Sequence, residues 1–129
     1  MKMDSRGEGS NGRIANNGKF DIYVDVDSLK FSRDVTTYGL SGAVIDTTGV
    51  WQNWVITSTS AGVSNLYLDG VLTGSADQAC GTPASGSNNL YIGNLDTKNR
   101  TFDGLIDNVR DYNRILTTDE IELLSEKVN

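Results

Sequence analysis

The sequence predicts an all-β fold: two antiparallel sheets packed as a jelly-roll sandwich, with one short helix at the carboxyl end. Three observations carry that expectation. Apolar and polar residues alternate over short runs, which is the period of a half-buried strand. Turn-forming residues recur every ten residues or so and cut the chain into short strands. Only the last segment has helical period, which excludes an α/β architecture. An immunoglobulin-like sandwich fits less well, because the chain ends in a capped helix and lacks a Cys pair.

Each element follows from local pattern. Residues 1–19 read as a flexible arm or an edge hairpin, with Gly7, Gly9, Gly12 and Gly18 set among polar residues. Within it, Gly12 to Asn16 reads as a short edge strand. The sandwich domain is expected over residues 20–129. Phe20, Ile22, Val24 and Val26 share one strand face, and Asp21, Tyr23, Asp25 and Asp27 share the other. Leu29-Lys30-Phe31 continues after a turn, and Val35 to Ile45 reads as one or two weak strands. Trp54 and Ile56 alternate with Val55 and Thr57. Val63 to Asp69 is the next strand. Asp69-Gly70 then signals a two-residue hairpin, because a type I′ turn needs positive φ at both positions. Val71-Leu72-Thr73 returns, Asp77 to Asn88 is a loop, and Leu90 to Gly93 is another short strand. Leu105 to Tyr112 reads as a strand of mixed parity, which a bulge or cover on both faces would explain.

The helix has a complete start signal. Thr117 is its N-cap and Glu120 closes a capping box. Leu116 is placed to staple onto Ile121, and Ile121, Leu124 and Val128 form the apolar stripe. Expected core residues are Trp54, Leu66, Leu68, Ile92, Ile106 and Val109.

Composition narrows the function. The chain has 129 residues and a net charge of -6, too acidic to neutralise many phosphates. Nucleic acid and anionic membrane surfaces are therefore not expected partners. No apolar run approaches the length of a membrane span. Histidine is absent, which removes imidazole bases and imidazole metal ligands. Cys80 is the only cysteine, so no internal disulfide forms. The opening Met1-Lys2-Met3-Asp4-Ser5 has no apolar leader core, and no localisation is fixed by it.

Several segments taken together resemble the laminin-G-like jelly roll of the concanavalin A-like lectin/glucanase group. They are Trp51-Gln52-Asn53-Trp54-Val55-Ile56-Thr57, then Leu66-Tyr67-Leu68-Asp69-Gly70-Val71-Leu72, then Leu90-Tyr91-Ile92-Gly93-Asn94. The most specific is the run from Phe102-Asp103-Gly104-Leu105-Ile106-Asp107-Asn108-Val109-Arg110 through Ile115-Leu116 to Thr117-Thr118-Asp119-Glu120-Ile121. The order and spacing of these pieces over residues 51–124 carry the resemblance. It implies an extracellular setting. The opening strands of the family have no counterpart here, and Asp111 stands where the family usually has an apolar residue. Missing strands would leave open edges, so a second chain, most simply in a homodimer, is expected to fill the gap.

The resemblance offers three functions. Hydrolysis of glycans needs two carboxyls with split pKa values, yet Glu8 lies in the arm and Glu120, Glu122 and Glu126 lie in the helix. No enzyme is expected. Calcium wants hard oxygen ligands, and Asp103, Asp107 and Asn108 are the candidate donors, with Asp21, Asp25 and Asp27 as an acidic ladder. Neutral glycan binding would use Trp51, Asn53, Asn88 and Asn89, in a stretch from Val35 to Thr97 without Lys or Arg. The expected function is a non-catalytic binding or adhesion module working through protein contacts or self-assembly. Calcium-assisted carbohydrate binding is the alternative. An aromatic in a concave groove would favour a sugar, and an apolar patch at an unfilled edge would favour assembly.

Overall fold

The computed structural model describes residues 1–25, 28–33, 40–44, 49–76, 89–95 and 97–126. Its elements are ten strands, β1 (Lys2–Met3), β2 (Arg13–Asn16), β3 (Asp21–Asp25), β4 (Ser28–Ser32), β5 (Leu40–Val44), β6 (Trp54–Ser58), β7 (Ser64–Leu68), β8 (Val71–Ala76), β9 (Tyr91–Ile92) and β10 (Gly104–Leu105), and one helix, α1 (Thr118–Glu126). A single 3-10 turn, Glu8–Ser10, follows β1. The fold is therefore all-β with a short C-terminal helix, and every described pairing is antiparallel.

Among the described residues three sheets are present where two were expected. The largest has the order β5-β4-β3-β2-β9, the next is β6-β7-β8, and β1 pairs β10 in a two-stranded ribbon. The amino-terminal residues, expected as an arm or edge hairpin, supply two of these strands. β2 is not an edge: it lies between β3 and β9. Met3 is fully buried and joins Val24, Leu29, Phe31, Leu66 and Phe102 in the core. Gly104 makes this docking possible. Its φ is 146°, and a Cβ there would collide with the Lys2 carbonyl and approach Met3 Cα to 2.9 Å.

The Asp69-Gly70 turn forms as the dipeptide predicts, with φ of 48° and 83°. It joins β7 to β8 and reaches sideways as well. The Asp69 carboxylate accepts the Asn53 amide at 2.7 Å, and the Asp69 amide donates to the Asn53 carbonyl at 2.9 Å. The capping box forms too. The Thr117 amide donates to Glu120 Oε2 at 2.9 Å, and the Glu120 amide donates to Thr117 Oγ1 at 3.3 Å. Leu116 and Ile121 are both buried, whereas Val128 and Cys80 lie outside the described residues.

Strand β3 departs from its pattern. Asp21 and Tyr23, placed on an open face by parity, are buried. Arg13 of the neighbouring strand explains this. Its Nε lies 2.9 Å from Asp21 Oδ2, and its guanidinium sits 4.2 Å from the centre of the Tyr23 ring. Burial pushes the Asp21 carboxyl above its ordinary value, and Arg13 and then Asn16 oppose that rise. Asp21 is thus not a solvated carboxylate, Asp25 is half-buried, and Val26 and Asp27 lie outside the described residues.

Candidate functional site

A groove of about 480 Å³ opens where the sheets meet the segment after β10. The five-stranded sheet contributes Ile14, Ile22, Leu29 and Ile92. Trp51, Trp54 and Ile56 come from β6 and its approach, and Ile106 and Val109 from beyond β10. Asn53, Asp107, Asn108 and Arg110 add the polar groups. A second cavity of about 160 Å³ lies between Asn53 to Thr57 and the run from Asn108 to Arg114, with Leu116 and Leu124 also lining it. Asn53, Trp54, Ile56, Asn108 and Arg110 line both.

Ile92 and Val109 correct the expected core. They are 43% and 57% exposed, because each faces the groove instead of a packed neighbour. Leu105, Tyr112 and Ile115 are exposed as well. The expected strand from Leu105 to Tyr112 shrinks to Gly104–Leu105, and Asn108 takes a φ of 53° that no regular strand uses. Asp111, the polar departure from the family pattern, is exposed.

The site residues fall into three groups. Trp51, Asn53, Asp107 and Asn108 all line the large groove, so one glycan candidate pair and two calcium candidates meet in one place. Asp103 does not line it. Its side chain is exposed, and its carbonyl accepts the Asp4 amide at 3.1 Å and the Ser5 amide at 3.4 Å. Asn89 is exposed away from the groove lining, and Asn88 lies outside the described residues. Asp107 spends one oxygen locally, accepting the Asn108 amide at 2.7 Å. Among the described residues there is no group of three or more Cys, Asp or Glu placed to hold a metal ion.

Two polar atoms at the junction of the cavities stand out. Asn53 Oδ1 and Trp54 Nε1 are buried without a hydrogen-bond partner in the structure. Such groups are uncommon, since a lost hydrogen bond costs about 1–3 kcal/mol when a polar atom is buried. Met1 also lines the groove. Its amino group donates to the Gln52 carbonyl at 2.6 Å, and burial lowers its pKa against the pull of Asp69 and Asp107. Sequence reasoning did not single out Met1, Gln52 or the exposure of Ile92 and Val109. No local signal marks them, because their roles depend on which strands lie beside them.

All-β topology, antiparallel pairing and a capped terminal helix define the class of protein. The family model described as Laminin_G_3, concanavalin A-like lectin/glucanases superfamily, matches residues 1–122, and the chain belongs to that superfamily. Among solved structures it is similar to residues 221-444 of an S-layer domain-containing protein from Clostridium thermocellum ATCC 27405. The two share 23% identity with a TM-score of 0.51, over 97% of this chain and 66% of that one. That likeness concerns the fold. No protein of curated function matches the sequence. Among the described residues no helix is long and apolar enough to cross a membrane.

Proposed function

We propose that the protein is a non-catalytic binding module that takes the apolar side chains of another polypeptide into the groove. One observation carries the reading: an unfilled, mainly aliphatic groove of about 480 Å³ at the junction of the sheets. Burying apolar surface there is worth about 25 cal/mol per Å², which a polar sugar exploits poorly beyond its one stacking face. The two-sheet sandwich belongs to this reading, with the five- and three-stranded sheets as its layers. So does the extracellular setting that the family resemblance implies. A second copy of the chain is one partner of suitable chemistry, and a homodimer its simplest form.

Selection from a random peptide library tests the proposal. Enriched sequences are expected to be rich in apolar residues and to lose binding to the Val109→Lys variant. Failure to enrich any peptide, with no self-association in sedimentation, would overturn it. A second reading rests on Trp51, which is 37% exposed beside Asn53 in a concave surface. It is calcium-assisted glycan binding, with Asp107 and Asn108 as ion ligands at the groove and Asp103 and the Asn88-Asn89 loop as outlying contributors. A glycan array run in calcium and then in EDTA decides it: reproducible, EDTA-sensitive binding to one sugar class favours this second reading.

A further inference from the structure

The dipeptide Asn-Gly occurs twice in the chain, as Asn11-Gly12 and as Asn17-Gly18. Glycine has no side chain to shield its amide nitrogen, so that nitrogen can reach the carbonyl of the asparagine side chain before it. The sequence opens the same chemistry to both dipeptides, and the structure treats them differently. Gly12 is clamped. Its amide donates to the Arg6 carbonyl at 2.9 Å, and its own carbonyl accepts the Val24 amide at 3.0 Å. It is buried, and a Cβ there would lie 3.0 Å from the Arg6 carbonyl oxygen and 3.1 Å from Phe102 Cα. Closing a ring across Asn11-Gly12 would turn that peptide and break paired backbone groups in a packed site.

Gly18 lies in the turn between β2 and β3, half-buried, with a φ of 77°. Its amide donates to the side-chain oxygen of Asn16 at 3.0 Å rather than to a strand carbonyl. Asn17 presents its side chain to the same turn. Its Oδ1 accepts the Lys19 amide at 2.9 Å and the Phe20 amide at 2.8 Å. Those two bonds draw charge toward the oxygen, where negative charge grows as a nucleophile adds to Cγ. The reacting groups belong to adjacent residues, so no encounter limits the step. We infer that Asn17 is a site of self-modification, losing its side-chain amide to attack by the Gly18 nitrogen, and that Asn11 is spared. The Gly18 nitrogen gives up its proton and adds to Asn17 Cγ. The N–Cγ bond forms, the Cγ–Nδ2 bond breaks, and the nitrogen released takes up a proton and leaves as ammonia. Water, the only co-reactant, then opens the cyclic imide. Addition at Cγ leaves aspartate, and addition at the main-chain carbonyl leaves isoaspartate. Either product puts a carboxylate beside Lys19. The second also adds a methylene to the main chain between β2 and β3, both of which are interior strands of their sheet. The inference is independent of the groove and of what binds there.

The test is a timed incubation of the full chain at mildly alkaline pH, folded and in urea. Peptide mapping by mass spectrometry separates asparagine, aspartate and isoaspartate at each site. In urea the two dipeptides should react at similar rates, because the fold no longer distinguishes them. In the folded chain Asn17 should convert at least about tenfold faster than Asn11. Lys19→Pro removes one of the two amide donors at an exposed turn position and should slow conversion at Asn17 severalfold. Asn17→Gln, which would have to close a larger ring, should abolish conversion there and leave Asn11 slow. Equal rates at Asn11 and Asn17 in the folded chain would overturn the inference. So would an Asn17 that stays intact in the folded chain while urea converts both sites. A Lys19→Pro rate equal to that of the parent chain would overturn the role given to the amide donors.

Discussion

On β3, Asp21 is 2% exposed, yet it lies against Arg13, which in turn covers Tyr23. At the groove, Ile92 and Val109 are 43% and 57% exposed. One region buries charge and pairs it with the opposite charge. The other leaves apolar side chains open to water. Folding alone explains the first, since a buried carboxylate is stable only with a partner. The second has no such internal account, and its imbalance is what a binding surface requires. If this contrast is right, substitutions on β3 should act on stability and substitutions at the groove on binding.

The largest expected effect is on the closed side. Asp21→Ala leaves the half-buried Arg13 without its carboxylate and should cost about 3 kcal/mol in chemical unfolding. Adding Arg13→Ala should recover part of that loss, because the pair is removed together. A double-variant loss equal to the sum of the two single-variant losses would show that Arg13 and Asp21 are not coupled.

Next is a matched pair of truncations. Leu66→Ala, at a fully buried β7 position, should cost about 3 kcal/mol through lost burial and a cavity. Val109→Ala should cost about 0.5 kcal/mol or less, as an exposed position does. A large loss at Val109 would mean that the groove is packed in solution and would remove the contrast. Smaller again is Thr117→Ala. It deletes the acceptor for the Glu120 amide and should cost about 1 kcal/mol, read as thermal unfolding.

Local chemistry was legible in the sequence, and lateral neighbours were not. Asp69-Gly70 could be read because a type I′ turn constrains two adjacent residues and nothing else. The Thr117–Glu120 box could be read for the same reason. Parity correctly put Val24 inside but misjudged Asp21, because period two says which side chains share a face and not what covers it. The cover is Arg13, on a segment whose glycines suggested an arm. Ile92 and Val109 failed in the opposite sense. Each has the composition of a core residue, and each faces space. Trp51, Asn53, Asp107 and Asn108 were chosen for chemistry, on segments far apart in sequence. That they line one groove follows from β1 bringing Trp51 and Leu105 to its two sides.

The smallest effect, and the subtlest test of the contrast, lies in pH. Asp21 has its pKa raised by burial, so in acid the folded form holds a proton more readily than the unfolded chain. Its contribution to stability therefore falls as pH rises from its ordinary value of 3.8 through the raised one. Glu120 behaves oppositely. Arg114 first, and then the Thr117 amide, lower its pKa from 4.5 to about 2. Its contribution is present above pH 4.5 and is lost as pH falls toward about 2. Because Glu120 is solvent-exposed, water and salt screen its ion pair with Arg114, and its loss should fray α1 without unfolding the sheets. Carboxyl titration by NMR should find the two midpoints on opposite sides of the ordinary range. Asp21→Asn and Glu120→Gln should each remove one of two slopes of opposite sign from the acid limb of the stability curve. Slopes of the same sign would mean that Asp21 is hydrated in solution, and the closed region would then be as open as the groove.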